Sequence, residues 1–158
     1  MVPVSSPNEA DEEMLKHILT TILRSSPGIQ SVVLMDRTGL PIQSEHKFTV
    51  DPNIDLERIG AIAGALFQAG EEQGETLNYG ELEIQISEYK LGILICVSCG
   101  AGVLCVASDK NIQVGLLRTL LKKFSPNIAN ILKTFLESDE ATVMQELKGL
   151  FDDYLNLQ

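Results

Sequence analysis

No stretch of the 158-residue sequence approaches the roughly 18 apolar residues that a membrane-crossing helix needs. The apolar run at residues 91–97 is only strand-sized. Residues 1–13 lack both the basic start and the apolar core of a leader peptide, and carry Glu9, Asp11, Glu12 and Glu13 instead. Neither export nor direct membrane insertion is therefore expected. Positive charge is also scarce: 12 Lys and Arg stand against 22 Asp and Glu, a formal net charge of −10. Nucleic acid and anionic lipid both require a basic footprint, so neither is an expected ligand. The acidity favours solubility and would attract a basic partner surface, although a generally acidic soluble protein accounts for it equally well. Cysteine is confined to Cys96, Cys99 and Cys105. Three clustered thiols make no disulfide framework and suit a reducing, cytoplasmic setting.

Catalytic signatures are missing as well. The sequence contains no GxxxxGK[ST], so the chain is not itself a P-loop GTPase, and it has no GxGxxG and no GxSxG. Cys96-Val97-Ser98-Cys99 has CxxC spacing, but there is no second pair and no histidine nearby. Strand positions three apart face opposite sides, which buries Cys96 and leaves Cys99 at a turn as a candidate exposed thiol. His17, beside the apolar stripe of a helix, and His46, in a polar loop, read as surface histidines. Glu71 and Glu72 read as a solvated helix end, and Gly100 and Gly102 as hairpin residues. Arg37, Arg58 and Arg118 have no distinguishing context. No enzyme activity, cofactor or metal is expected, which leaves binding.

Length favours one domain with one sizeable core. A first helix is predicted over residues 8–25, with Asn8 as N-cap and Met14, Leu15, Ile18, Leu19 and Ile22 as its apolar stripe. Residues 1–6 read as a loose tail, and Ser25-Ser26-Pro27-Gly28 stops the helix. Strands follow over residues 29–36 and 40–45, joined by Arg37-Thr38-Gly39. A loop over 46–53 leads to a second helix over 55–73, with Gly70 and Gly74 near its end. Three more strands are predicted over 79–88, 91–98 and 103–108, turning at Tyr89-Lys90 and at residues 99–102. A third helix runs from about 111 to 124, is interrupted at Ser125-Pro126, and resumes to Glu137. Ser138 caps a last helix to about Leu155.

Strands apolar on both faces lie inside a sheet, and alternating ones lie at its margin. Val33 and Met35 oppose Val32 and Leu34; Leu91, Ile93, Ile95 and Val97 oppose Leu94 and Cys96; Val103, Cys105 and Ala107 oppose Leu104 and Val106. These three strands are central. Pro41 marks the second strand as an edge, because proline donates nothing to the ladder. The third strand alternates Leu82, Ile84 and Ile86 with Glu81, Glu83, Gln85 and Ser87, and is the other edge. The fold expected is an α/β (α+β) sandwich: a five-stranded antiparallel sheet in the order 2-1-5-4-3, helices on both faces, and an extra C-terminal helix. A long edge strand without proline invites pairing with a second copy, which points to a two-fold dimer. A monomer kept soluble by Glu81 and Glu83 is the alternative.

Two helices carry further signals. Residues 59–70 are mostly small, with Gly60 above Gly64 and Ala61 above Ala65. Glycine costs up to ~1 kcal/mol inside a helix, so two of them imply close backbone approach, to the chain's own sheet, to another chain, or to both. In the last helix Val143, Leu147, Leu150, Phe151 and Tyr154 follow helical spacing opposite Asp139, Glu140, Glu146, Asp152 and Asp153. That face docks either on its own domain, the plainer expectation, or on a partner.

The element order, sheet order and local motifs together resemble the Roadblock/dynein light chain family, including its LAMTOR-like members, over about residues 10–136. Matching motifs are Ser26-Pro27-Gly28-Ile29, Val32-Val33-Leu34-Met35-Asp36, Thr38-Gly39-Leu40-Pro41-Ile42, the small-residue second helix, Tyr79-Gly80-Glu81 and the hairpin over 92–106. The resemblance implies a Roadblock-like domain at 8–137 with a helical extension at 138–158. It also implies a homodimer, or a dimer with a related Roadblock subunit, formed by the second helix and third strand. Ile59, Gly60, Ala63, Gly64 and Phe67, with Leu82, Ile84 and Ile86, would be its interface positions. Its members scaffold or regulate small Ras-like GTPases, or serve dynein as light chains. The implied function is a non-enzymatic scaffold binding a small GTPase, with support of hydrolysis or exchange open. A light-chain-like adaptor for peptides or other subunits is one alternative. A small-molecule sensor, which would need a cavity beneath the helices, is another.

Overall fold

The computed structural model describes residues 7–47 and 53–156. The tail expected at residues 1–6, and residues 48–52 of the expected loop, lie outside them. The elements run α1 (Pro7–Arg24), β1 (Ile29–Asp36), β2 (Pro41–His46), α2 (Leu56–Thr76), β3 (Ile84–Glu88), β4 (Ile93–Cys99), β5 (Gly102–Ser108) and α3 (Val114–Asn156). The strands form one antiparallel sheet in the expected order, β2-β1-β5-β4-β3.

Side-chain alternation divides the core in two. Val32, Leu34, Ile95, Val97, Leu104 and Val106 point to one face of the sheet, where Leu19 and Ile22 of α1 meet Leu121, Ile128 and Leu132 of α3. Val33, Met35, Cys96, Val103 and Cys105 point to the other, under Ala63 and Phe67 of α2. Each fully buried large apolar side chain contributes about 1.5–3 kcal/mol, so β1, β4 and β5 are held from both sides. No helix among the described residues is long and apolar enough to cross a membrane.

Four details depart from the sequence expectation. Helix α1 starts at Pro7, so Asn8 lies inside its first turn and is not the N-cap; proline fits there because that N–H has no helical partner. Met14 faces solvent, and Leu23 takes its place in the buried stripe. Strand β3 begins only at Ile84. Asn78 and Gly80 adopt left-handed backbone (φ 57° and 85°), and Tyr79 N–H donates to the Gly74 carbonyl at 2.8 Å, so the chain wraps the end of α2 before joining the sheet. At the next turn Tyr89 N–H donates to the Gly92 carbonyl at 2.7 Å, which leaves Leu91 in the turn and exposed.

The largest departure is α3, a continuous 43-residue helix with Pro126 inside it. Neither the break at Ser125-Pro126 nor a new start at Ser138 occurs. Proline in a helix interior costs about 3 kcal/mol. The buried side chains on either side, Leu121 before it and Ile128 and Leu132 after it, share one packing surface against α1 and the sheet, and they offset that cost. The extra C-terminal helix is thus the continuation of α3.

Candidate functional site

Helix α2 is placed by its cap and its glycines. The Asp55 carboxylate accepts the Arg58 N–H at 3.1 Å and fixes the helix start. Gly60 and Gly64 then sit on the β1–β2 turn. A Cβ on Gly64 would lie 2.7 Å from Gly39 Cα, and one on Gly60 would lie 2.8 Å from the Gly39 carbonyl oxygen. Gly39 has φ +92°, a conformation that side chains rarely adopt, and its own Cβ would lie 2.6 Å from the Gly60 oxygen. Three glycines therefore let helix and turn touch backbone to backbone. Further along, a Cβ on Gly70 would meet Leu82 Cδ2 at 2.7 Å, and Gln85 Nε2 donates to the Leu66 carbonyl at 3.3 Å. Helix α2 thus crosses from the β1–β2 turn to the margin of β3.

The residues expected at an interface fall on two sides of α2. Gly60, Ala63, Gly64 and Phe67 are buried inside the chain, on the face of α2 that meets the sheet. The side facing away carries Ile59, Ile62 (53% exposed) and Leu66 (47%), spaced to share one helix face. Of the expected shared face of Leu82, Ile84 and Ile86, the two strand residues keep it, Ile84 opposite Val97 and Ile86 opposite Ile95, and only Leu82 departs. Leu82 precedes the strand and packs under α2, Ile84 packs on the α1–α3 side, and Ile86 is exposed. The exposed β3 edge remains as expected, since β3 is terminal in the sheet and pairs with β4.

Arg37, which the sequence leaves without context, locks this arrangement. Its guanidinium donates to the Gly100 carbonyl (2.8 and 3.0 Å) and to Ser98 Oγ (2.8 Å), pairs with Glu71 of α2, and lies 6.0 Å from the Phe67 ring centroid. Five donors in a planar fork make arginine able to join three segments at once. The partners lie 34 to 63 residues away, so only the fold discloses them. Beside it, Asp36 Oδ1 accepts from Thr38 N (2.9 Å), Thr38 Oγ1 (2.6 Å) and Leu40 N (3.0 Å). Burial pushes the Asp36 carboxyl up, but the bonds from Thr38, Leu40 and Gly39 outweigh it and hold the group below the ordinary 3.8.

The cysteines are core residues. Cys96 and Cys105 face each other across β4 and β5 under α2, and Cys99 lies on the opposite side. Cys99 is buried, not an exposed thiol, and burial pushes its thiol up to about 12 against smaller lowering effects of the Leu104 backbone and Arg37. Cys105 is also pushed up, by its hydrogen bond with Cys96 and by burial. His17 is on the surface as expected, but His46 is not in a polar loop. It ends β2, and its ring nitrogens are shielded from solvent. Among the described residues no cluster of His, Cys, Asp or Glu could hold a metal ion.

The apolar stripe at the end of α3 does not dock on its own domain. Val143, Leu147, Leu150, Phe151 and Tyr154 are all exposed, with Met144 and Leu155 widening the same face.

A family model described as the Roadblock/LC7 domain matches residues 16–108. An uncharacterized protein of Methanocaldococcus jannaschii, MJ0714, is 29% identical over 117 residues, covering 74% of this chain and 95% of its own. Among solved structures, the gliding protein MglB of Thermus thermophilus superposes with a TM-score of 0.70 at 17% identity, covering 85% of this chain and 96% of its own. Myxococcus xanthus MglB superposes with a TM-score of 0.68 at 21% identity, covering 77% and 96%.

Proposed function

The chain belongs to the Roadblock/LC7 domain family, and from that premise we propose that it is a non-catalytic, cytoplasmic dimeric scaffold that engages a small Ras-like GTPase. One observation carries the reading: the outward face of α2 presents Ile59, Ile62 and Leu66 beside the open edge of β3. Two copies related by a two-fold axis would bury both stripes and continue the sheet across the paired edges. The partner is this chain itself or a related Roadblock subunit, and the paired α2 helices form the GTPase platform. Residues 8–137 are the Roadblock unit and 138–158 its extension.

Such a platform acts by ordering the switch loops of the GTPase, as a scaffold or as support for hydrolysis or exchange. Arg37 is not the arginine that reaches a nucleotide, because its donors are committed within the chain. Pull-downs with Ras-like GTPases in both nucleotide states, run with a hydrolysis assay, test the proposal. Binding in at least one state, lost in Leu66→Asp, is expected, and no binding in either state sinks it. The open edge of β3 also favours a second reading, an adaptor that adds an extended peptide as a strand. Capture of peptides irrespective of nucleotide would distinguish it. A sensor cavity beneath α2 finds no support, because Phe67, Met35, Val33, Val103, Cys96 and Cys105 fill that layer.

A further inference from the structure

A groove of about 590 Å³ lies on the opposite side of the sheet from α2, between the end of α1 and the start of α3. Pro27, Ile29, Ile112, Leu117 and Leu120 line it, with Leu116 (65% exposed) at its rim. Three cations border it, and one carboxylate, Asp109, accepts the N–H of the lining Asn111 at 2.9 Å. Lys123 lines it, Arg24 ends α1 beside the lining Ser25, and Lys47 Nζ donates to the carbonyls of Ser26 (3.0 Å) and Pro27 (2.9 Å). None of its lining side chains is acidic, in a chain of net charge −10.

The same chain carries the complement. The stripe of Val143, Leu147, Leu150, Phe151 and Tyr154 is apolar and exposed, and helical spacing sets Glu146 and Asp153 along one border, with Asp152 behind and Lys148 towards the other. We propose that this stripe of one copy docks into the α1–α3 groove of a second copy, its acidic edge against Lys123, Arg24 and Lys47. Charge and shape class match on both sides: an amphipathic helix with an acidic border meets an apolar groove with a basic one. Docking within one chain is barred by length. Leu117 and Leu150 lie on one unbroken helix, and at ~1.5 Å per residue it holds them roughly 50 Å apart. Pairing of two stripes with each other would bring their acidic edges together, so the groove is the better acceptor. Reciprocal exchange between two copies closes with two-fold symmetry.

This contact is separate from the α2 face, and the test keeps the two apart by using the full chain carrying Leu66→Asp. In that background, sedimentation velocity is expected to show concentration-dependent self-association. Phe151→Asp (68% exposed) and Leu116→Asp sit on surface positions, so folding is retained, which circular dichroism checks. Each is expected to weaken association by roughly tenfold or more, as truncation of a buried apolar anchor does. A mixture of the Phe151→Asp and Leu116→Asp chains regains one intact groove and one intact stripe, and is expected to form a 1:1 complex that neither forms alone. Three results would each overturn the proposal: no association in the Leu66→Asp background, sensitivity to Phe151→Asp but not to Leu116→Asp, or a mixture that stays monomeric. None of them bears on the α2 interface.

Discussion

Replacing Gly64 by alanine sets two effects of opposite sign against each other. Helix propensity alone favours alanine by about 0.8–1 kcal/mol in an α-helix interior. Packing opposes it: the new methyl would lie 2.7 Å from Gly39 Cα, 2.9 Å from Gly39 N and 3.3 Å from Thr38 C. All three are backbone atoms of a turn tied down by Asp36, so no side-chain rotation relieves the overlap. Overpacking of this kind costs typically about 1–3 kcal/mol. A net loss of up to about 2 kcal/mol follows, which for a chain of this size lowers the melting temperature by up to roughly 8 °C. Gly149, also inside a helix, has nothing within 4 Å of a Cβ, so Gly149→Ala is the internal control. Urea unfolding of both variants at one fixed protein concentration is the assay. Gly64→Ala should be less stable than the parent and Gly149→Ala no less stable. A Gly64→Ala chain as stable as the parent would refute the backbone contact between α2 and the β1–β2 turn.

Three further outcomes are expected. Pro126→Ala should raise stability by about 1–3 kcal/mol, because it restores a donor within a continuous helix; unchanged urea midpoints would mean that α3 is broken there in solution. The native cysteines should resist alkylation at pH 8, since all three are buried and the Cys99 thiol is pushed up to about 12; stoichiometric labelling within minutes would contradict this. Asp36, held below 3.8, contributes stability that is complete above that value and is lost as pH falls through its lower folded-state value. The loss over this acid range should be smaller in Asp36→Asn, and identical pH profiles for variant and parent would count against the turn network.

The sheet was legible in the sequence because its signal is local. Alternation within residues 32–35, 93–97 and 103–106 sets which faces are buried, Pro41 marks one edge, and hairpin connections leave few ways to order five strands. Membership of a family followed from the order of these pieces. The site was legible only in part. Small residues at 60–64 announced a close approach, but not its partner, which is Gly39 of the same chain. A glycine pattern is the same whether the neighbour belongs to the chain or to another molecule. Arg37 escaped notice because its partners are remote in sequence, and the continuity of α3 because a proline weighs more in a local reading than long-range packing does.

In the proposed dimer the outward face of α2, beside the β3 edge, joins two copies. The most direct test is the mass in solution of the Phe151→Asp chain, in which the α3 stripe is silenced, with and without Leu66→Asp. The mass expected is twice 17.3 kDa for Phe151→Asp alone and 17.3 kDa once Leu66→Asp is added. A monomeric Phe151→Asp chain, or a dimer indifferent to Leu66→Asp, would contradict it.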